Sequence, residues 1–228
     1  RPQAIARPIR ERVAGLRRGL SLWPIDAVVT QCAELEAEHG PHPLIANYGA
    51  ELLLWAGDYE RARTWLDRAF SMAPRSRWAF IGKATVENLT GSPEQALATI
   101  ALQRALVPPL PNSASCTAEA YLLLGDAERA LVDFATASAA HPTRVSAWLG
   151  LGQAQHLLGA SPRPALDRVR QLVPVFFQQW QQETAGLGEQ ERFAHAFRML
   201  RGNRGSGLIT WWTADGAFHG EQAVLSAR

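Results

Sequence analysis

Apolar runs with helical spacing alternate along this chain with short breaks at glycine or proline. One break lies in LLWAGDYERA at residues 53–62, where an apolar run ends at Gly57 and a new helix start follows at Asp58. Nearly the same pattern recurs in LLLGDAERA at residues 122–130. The pattern predicts two helices joined by a tight turn, and it predicts that the chain builds this pair more than once.

The repeat has a period of 34 residues, and several independent markers share it. The markers are Gly57, Gly91, Gly125 and Gly159; Ala62, Ala96 and Ala130; Pro74, Pro108 and Pro142; and Ala50, Ala84 and Ala118 with Gly152. Their spacing predicts four helix pairs. These repeats are expected to start at Pro43, Arg77, Pro111 and Val145.

Each marker has a physical role in such a pair. Glycine after the first helix adopts a left-handed conformation without a Cβ penalty. Asp58, Ser92 and Asp126 follow as N-caps that accept hydrogen bonds from the first amides of the second helix. The small residues let the two helices approach closely, and proline ends the second helix.

The fourth repeat is irregular, because strict counting would bury Pro164 and Arg168. One inserted residue in the turn removes the conflict. Ser161 then becomes the N-cap and Pro162 the first helical residue, where proline is tolerated. This register directs Ala165, Val169 and Leu172 to the core.

These markers resemble those of the tetratricopeptide-repeat (TPR) family, especially GDYERA followed by Ala69 and Pro74. The resemblance implies an all-α fold, a right-handed superhelical solenoid of antiparallel helix pairs. The predicted domain plan has an N-terminal helical cap or degenerate repeat at 1–42, four repeats at 43–176 and capping helices at 177–201. A Gly-rich joint with a β-hairpin tail follows at 202–228.

The predicted hairpin covers about residues 208–224. Its sequence, LITWWTADGAFHGEQAVL, has strand-forming residues on both sides of Asp215-Gly216, which is a strong turn signal. An isolated hairpin is marginally stable in water. The tail is therefore expected to dock on the solenoid, on a partner or on a further domain.

Composition and charge add few constraints. The chain has 228 residues, a formal net charge of +2, and two cysteines, which favours reduced, buried thiols. No apolar run reaches the roughly 20 residues that cross a bilayer, so a cytoplasmic location is expected. The chain begins at Arg1 rather than Met, which leaves a removed signal peptide or a longer parent protein as alternatives.

The sequence carries no recognisable catalytic or metal-binding motif. Of six histidines only His39 and His42 are close together, and there is no HExxH or GxSxG pattern. GNRGSG at 202–207 lacks the Lys-Ser/Thr ending of a phosphate-binding loop. We therefore expect no metal, no cofactor and no enzymatic activity of this chain itself.

The TPR resemblance implies a concave groove lined by the first helix of each repeat. Projection onto these helices places the following residues in the groove: Asn47, Glu51, Leu54, Trp78, Ile81, Thr85, Asn88, Ser115, Glu119, Leu122, Leu149, Gln153 and His156. Leu54, Leu122 and Leu149 are equally compatible with the core between repeats.

The projected groove contains no lysine or arginine. Some family members hold the C-terminal carboxylate of a peptide with such cations, so that mode is not expected here. The groove is amide-rich and apolar with two acids, which suits an extended or helical peptide with a basic residue against Glu51 or Glu119. Asn47 and Asn88 are expected to hydrogen-bond the peptide backbone.

The main functional prediction is a non-catalytic scaffold that binds a protein or peptide, with possible docking through the hairpin. One alternative is an accessory, substrate-recruiting region of a larger transferase-type enzyme. The other is contact of the arginine-rich segment 1–18 with nucleic acid or a membrane, although that segment also suits pairing with the acidic stretch beside it.

Overall fold

The computed structural model describes residues 7–19, 24–108 and 111–205. Within these ranges the chain forms twelve α-helices and no strand. The helices are α1 Arg7–Gly19, α2 Ile25–His39, α3 Pro43–Ala56, α4 Tyr59–Met72, α5 Arg77–Leu89, α6 Pro93–Leu106, α7 Pro111–Leu123, α8 Ala127–Ala140, α9 Val145–Leu157, α10 Arg163–Leu172, α11 Pro174–Glu183 and α12 Glu189–Gly205. The predicted hairpin at 208–224 lies outside the described residues.

The four predicted repeats correspond to the antiparallel pairs α3/α4, α5/α6, α7/α8 and α9/α10. Their first helices begin at Pro43, Arg77, Pro111 and Val145, the residues at which the spacing predicts the repeats to start. The four marker glycines all have φ between 73° and 79°, the left-handed region that favours glycine. The all-α class and the paired helices are thereby confirmed.

The predicted caps are confirmed in two turns and corrected in two others. Asp58 and Asp126 accept hydrogen bonds from the amides of Arg61 and Arg129, at 3.1 and 3.0 Å. Ser92 occupies the N-cap position of α6, but its side chain makes no capping hydrogen bond. In the fourth repeat the N-cap position falls on Pro162, one residue later than predicted, while Ser161 Oγ accepts a hydrogen bond from the Arg163 amide at 3.4 Å.

The inserted residue in the fourth repeat has the predicted effect on packing. Ala165, Val169 and Leu172 are buried. Neighbouring repeats pack through a further periodic contact, in which the second helix of one repeat presses on the first helix of the next. Leu66 contacts Gly82, Ile100 shares a buried cluster with Cys116, and Phe134 contacts Gly150.

The flanking helices close the two ends. Ile9, Val13 and Leu16 of α1 are buried in the cluster that also contains α2 and α3. At the other end, α11 and α12 form a cluster with α9 and α10 that includes Phe176, Trp180 and Phe193. The helices separate at 184–188, within the ETAGLGEQ stretch.

The predicted joint starts too early. Arg201–Gly205 belongs to α12, so the helix continues through the first two glycines of RGNRGSG. Glycine disfavours a helix by about 1 kcal/mol per residue, which is why the sequence predicts a break there. The packing of α12 against α9 and α3 overrides this local preference.

Candidate functional site

A pocket of about 310 Å³ lies among the helices of the first two repeats. Its lining comes from α1, α3, α4 and α5, and from one residue in the turn before α9. The lining residues are Arg10, Val13, Ala14, Leu44, Asn47, Tyr48, Glu51, Leu54, Leu66, Trp78, Ile81, Gly82 and Arg144. Five of the residues projected onto the groove, Asn47, Glu51, Leu54, Trp78 and Ile81, thus lie on one pocket.

The pocket combines an apolar floor with one exposed aromatic side chain. Leu54 and Ile81 are buried, as is the ring of Tyr48. Trp78 is different, because 56% of its surface is exposed at the start of α5. Exposed tryptophan beside an apolar floor is typical of recognition surfaces, since the ring offers a large contact area with little loss of conformational freedom.

Asn47 lines the pocket and carries a buried acceptor without a partner among the described residues. Its amide nitrogen donates to Ser76 Oγ at 3.1 Å, and Ser76 in turn caps α5 by accepting from the Ala79 amide at 3.3 Å. This contact fixes the orientation of the Asn47 side chain. Its buried Oδ1 has no hydrogen-bond partner among the described residues. A buried acceptor of this kind is costly to leave unpaired, so it suits a donor from a bound chain.

Arg144 is the most unusual polar group of the pocket. Only 7% of its surface is exposed, and its Nη1 donates to Ser115 Oγ at 2.9 Å. Burial lowers the pKa of the Arg144 guanidinium, while the nearby Cys116 and Glu119 act in the opposite direction. Arg144 lines the pocket, and no ion pair of its guanidinium is found in the described ranges.

The remaining projected residues are buried or half-buried. Thr85, Asn88, Ser115 and Leu149 are buried. Thr85 donates to the Ile81 carbonyl at 2.8 Å, and Asn88 donates to the Cys116 carbonyl at 2.9 Å. Of the projected residues in the third and fourth repeats, four are half-buried: Glu119, Leu122, Gln153 and His156. Burial of Leu54 and Leu149 agrees with the core alternative for these two leucines.

Two cations of the pocket escape the sequence projection, which corrects the expectation of a groove without lysine or arginine. Arg10 comes from α1, and Arg144 stands just before α9, so neither lies on the projected face of a repeat. The 34-residue spacing contained a signal for Arg144. It occupies the same register as Ser76 and His42, which both lie at the start of a first helix.

The described residues show neither a metal cluster nor a membrane span. No group of three or more His, Cys, Asp or Glu side chains is arranged to hold a metal ion in that part of the chain. None of the helices described is both long enough and apolar enough to cross a bilayer.

Comparison with known proteins finds likeness in structure but not in sequence. No protein-family model and no curated protein sequence matches the chain. A tetratricopeptide repeat protein from Parabacteroides merdae superposes with a TM-score of 0.57 at 12% identity, covering 98% of this chain and 86% of its own. Residues 41 to the end of MamA from Desulfovibrio magneticus RS-1 superpose with a TM-score of 0.51 at 16% identity, covering 80% and 100%. At such identities the likeness shows the fold alone.

Proposed function

Because this chain has the tetratricopeptide-repeat fold, we propose that it is a non-catalytic module that binds a peptide segment of another protein in its concave pocket. The observation that carries the proposal is the composition of that pocket. Exposed Trp78 stands beside an apolar floor, and the floor is flanked by an unpaired acceptor on Asn47 and a buried cation at Arg144.

The pocket chemistry favours a particular kind of peptide. An apolar side chain would cover the floor beside Trp78, and a backbone N–H of the peptide would donate to Asn47 Oδ1. A carboxylate would compensate the buried Arg144 charge. The sequence projection favours a different peptide, with a basic residue against Glu51 or Glu119. We keep this as a second proposal beside the peptide with a carboxylate against Arg144.

The proposed groove continues beyond the pocket along the third and fourth repeats. Glu119, Leu122, Gln153 and His156 are the partly accessible residues there. We also propose the right-handed superhelix that the resemblance implies, because it would bring successive first helices onto one concave face. We also propose a cytoplasmic location and docking through the 208–224 hairpin.

A selection from a random peptide library on the immobilised full chain would test the function. Peptides enriched on the wild-type chain should lose at least about tenfold in affinity on Trp78→Ala, since hot-spot aromatic residues contribute 2 kcal/mol or more. Lys83→Ala is the matched control on the same helix, because Lys83 is exposed and does not line this pocket. Equal losses in both variants, or enriched peptides insensitive to Trp78→Ala, would refute the proposed site.

The charge preference can be read from the same peptides. If Arg144 selects an acidic residue, Arg144→Gln should lower the affinity of the enriched peptides. A new selection on that variant should then show no preference for an acidic residue at the same peptide position. If the basic alternative holds, Glu51→Gln and Glu119→Gln should weaken them instead.

The structure gives the basic N-terminal segment a packing role. Helix α1 buries three apolar residues, and Arg12 pairs with Glu38 of α2 at 3.5 Å. Pairing with the adjacent acidic segment is thereby observed for this arginine. No comparable observation favours contact with nucleic acid, with a membrane or with a transferase domain.

A further inference from the structure

The last helix does not simply extend the stack of repeats. Helix α11 packs on α10, as a next repeat would, but α12 contacts α9 and also α3. These two helices are the first helices of the fourth and first repeats, which lie far apart in sequence. Helix α12 therefore links the first and the fourth repeat.

The beginning of α12 is firmly held. Trp180 Nε1 of α11 donates to the Arg192 carbonyl at 2.7 Å, and the Arg192 guanidinium lies 5.4 Å from the centre of the Trp180 ring. His195 Nε2 lies 2.7 Å from Glu183 Oε2. These contacts fix the direction in which the helix leaves α11.

From there α12 reaches both α9 and α3. Phe193 packs near Gly152 and His156, in the second half of α9. Ala196 is buried and Met199 partly buried in the same cluster. Helix α12 also contacts α3, the first helix of the first repeat. Helix α3 supplies more of the pocket lining than any other helix described, and Arg144 lies just before α9.

We propose that residues 206–228, which follow α12, occupy the concave pocket as an intramolecular ligand. Trp211 and Trp212 would fill the space beside Trp78, and Asp215 would lie against Arg144 or Arg10. The proposal rests on the pocket being a peptide site, as proposed above. Its consequence is that an external peptide must displace the chain's own C-terminal segment.

Length and composition support this occupant. Seven residues lead from Gly205 to Trp212 and span up to about 25 Å when extended. The segment carries two adjacent tryptophans and two acids, Asp215 and Glu221, against one arginine. An apolar, acidic segment matches a pocket with an apolar floor and two arginines against one acid, Glu51. A tether this short also gives an effective concentration in the millimolar range.

A photo-crosslinking experiment on the full chain tests the location of the segment. Trp212 is replaced by p-benzoylphenylalanine, an aromatic residue that couples to nearby C–H bonds on irradiation. After trypsin digestion, crosslinks should concentrate on the peptides 78–83 and 19–61, which contain Trp78 and helix α3. Crosslinks that fall mainly on other peptides of the same chain, or that join two chains, would overturn the proposal.

A disulfide pair gives an independent readout. Trp78→Cys with Trp212→Cys should form an intramolecular disulfide at least tenfold faster than Lys83→Cys with Trp212→Cys. Lys83 lies on the same helix but does not line the pocket, so the two pairs differ mainly in whether the α5 cysteine faces the pocket. Equal rates would overturn the proposal. Circular dichroism of the reduced variants verifies that both are folded, and the crosslinking result stands by itself if either is not.

These outcomes are separate from the test of the proposed function. A segment found in the pocket while no external peptide is enriched would leave the intramolecular ligand standing and refute only the external partner. If peptides that depend on Trp78 are enriched but the crosslinks of residue 212 fall outside the pocket, the external partner stands and the intramolecular ligand is refuted.

Discussion

Two glycines of α9, only two positions apart, face different neighbours. A Cβ atom at Gly150 would lie 2.2 to 2.6 Å from ring atoms of Phe134, which is fully buried. A Cβ atom at Gly152 would meet Phe193 at 3.4 Å, close to ordinary contact. The same helix thus contains one glycine that packing requires and one that packing tolerates.

Gly150→Ala should lower the free energy of unfolding by about 1–3 kcal/mol, because overpacking a rigid ring forces a shift in the core. Gly152→Ala should be neutral or should raise it by up to about 1 kcal/mol, since alanine favours a helix over glycine. Urea denaturation of the two variants checks the difference. Equal destabilisation would show that the Phe134 contact does not set the repeat spacing.

The cap residue Asp58 links stability to pH. Side-chain and backbone hydrogen bonds from Arg61 lower the pKa of Asp58, so its contribution is present above the ordinary Asp pKa of about 3.9 and is lost as the pH falls through the lower folded value. Asp58→Ala should reduce the free energy of unfolding by about 1 kcal/mol at pH 7. The difference from wild type should shrink below about pH 4.

Ser92→Ala is the matched control for the cap. Ser92 occupies the corresponding position of the second repeat but makes no capping hydrogen bond through its side chain. Its replacement should change stability by a few tenths of a kcal/mol at most, with no added pH dependence. A loss as large as that of Asp58→Ala would contradict the cap assignment.

At the scale of helices, the sequence predicted the repeat well because the periodic signals are local. A left-handed glycine, an aspartate cap and a terminating proline each act within a few residues, so their 34-residue spacing gave the starts of α3, α5, α7 and α9. The side chain of Ser92 shows the limit of this approach. A residue type suited to capping does not determine whether its side chain makes the bond.

Phe193 is a fully buried aromatic side chain of α12 that packs near Gly152 of α9. Phe193→Ala should release α12 from α9, because truncating a buried phenylalanine removes about 3–5 kcal/mol of packing. Hydrogen–deuterium exchange of peptides from 189–205 should then accelerate more than exchange in α3 to α8. Val132→Ala, at a 64% exposed site on α8, should leave both unchanged.

Release confined to α12 would identify it as a separate cooperative unit. Uniform acceleration across the repeats would instead show that α12 is part of one cooperative fold. Hydrogen–deuterium exchange distinguishes both patterns from wild type. The Val132→Ala control reports any nonspecific effect of side-chain truncation on exchange.

For the molecule as a whole, the sequence could not predict which distant elements meet. Periodicity determines the neighbours of each repeat, and it placed Asn47, Glu51, Leu54, Trp78 and Ile81 on one face. Whether these residues bind a partner remains a prediction. Three features depend on contacts across more than one repeat: the position of Arg144 in the pocket, the contribution of α1 to its lining, and the contacts of α12 with α9 and α3. A single repeat period contains no signal for such contacts.

The closing prediction joins the two proposals. If residues 206–228 fill the pocket in nearly all molecules, the apparent affinity for an external peptide is reduced by the fraction of open molecules. Replacing Trp211 and Trp212 together by Ala should then raise the affinity for a selected peptide by about 10- to 100-fold, for 90–99% occupancy. Isothermal titration calorimetry with the full chain measures the change, and Val132→Ala, at an exposed site on α8 outside the pocket, is the control. Unchanged affinity in the tryptophan variant would mean that the segment and the peptide do not compete. The coupling has to be reciprocal, so peptide binding should also increase hydrogen exchange in the 206–228 segment of the wild-type chain.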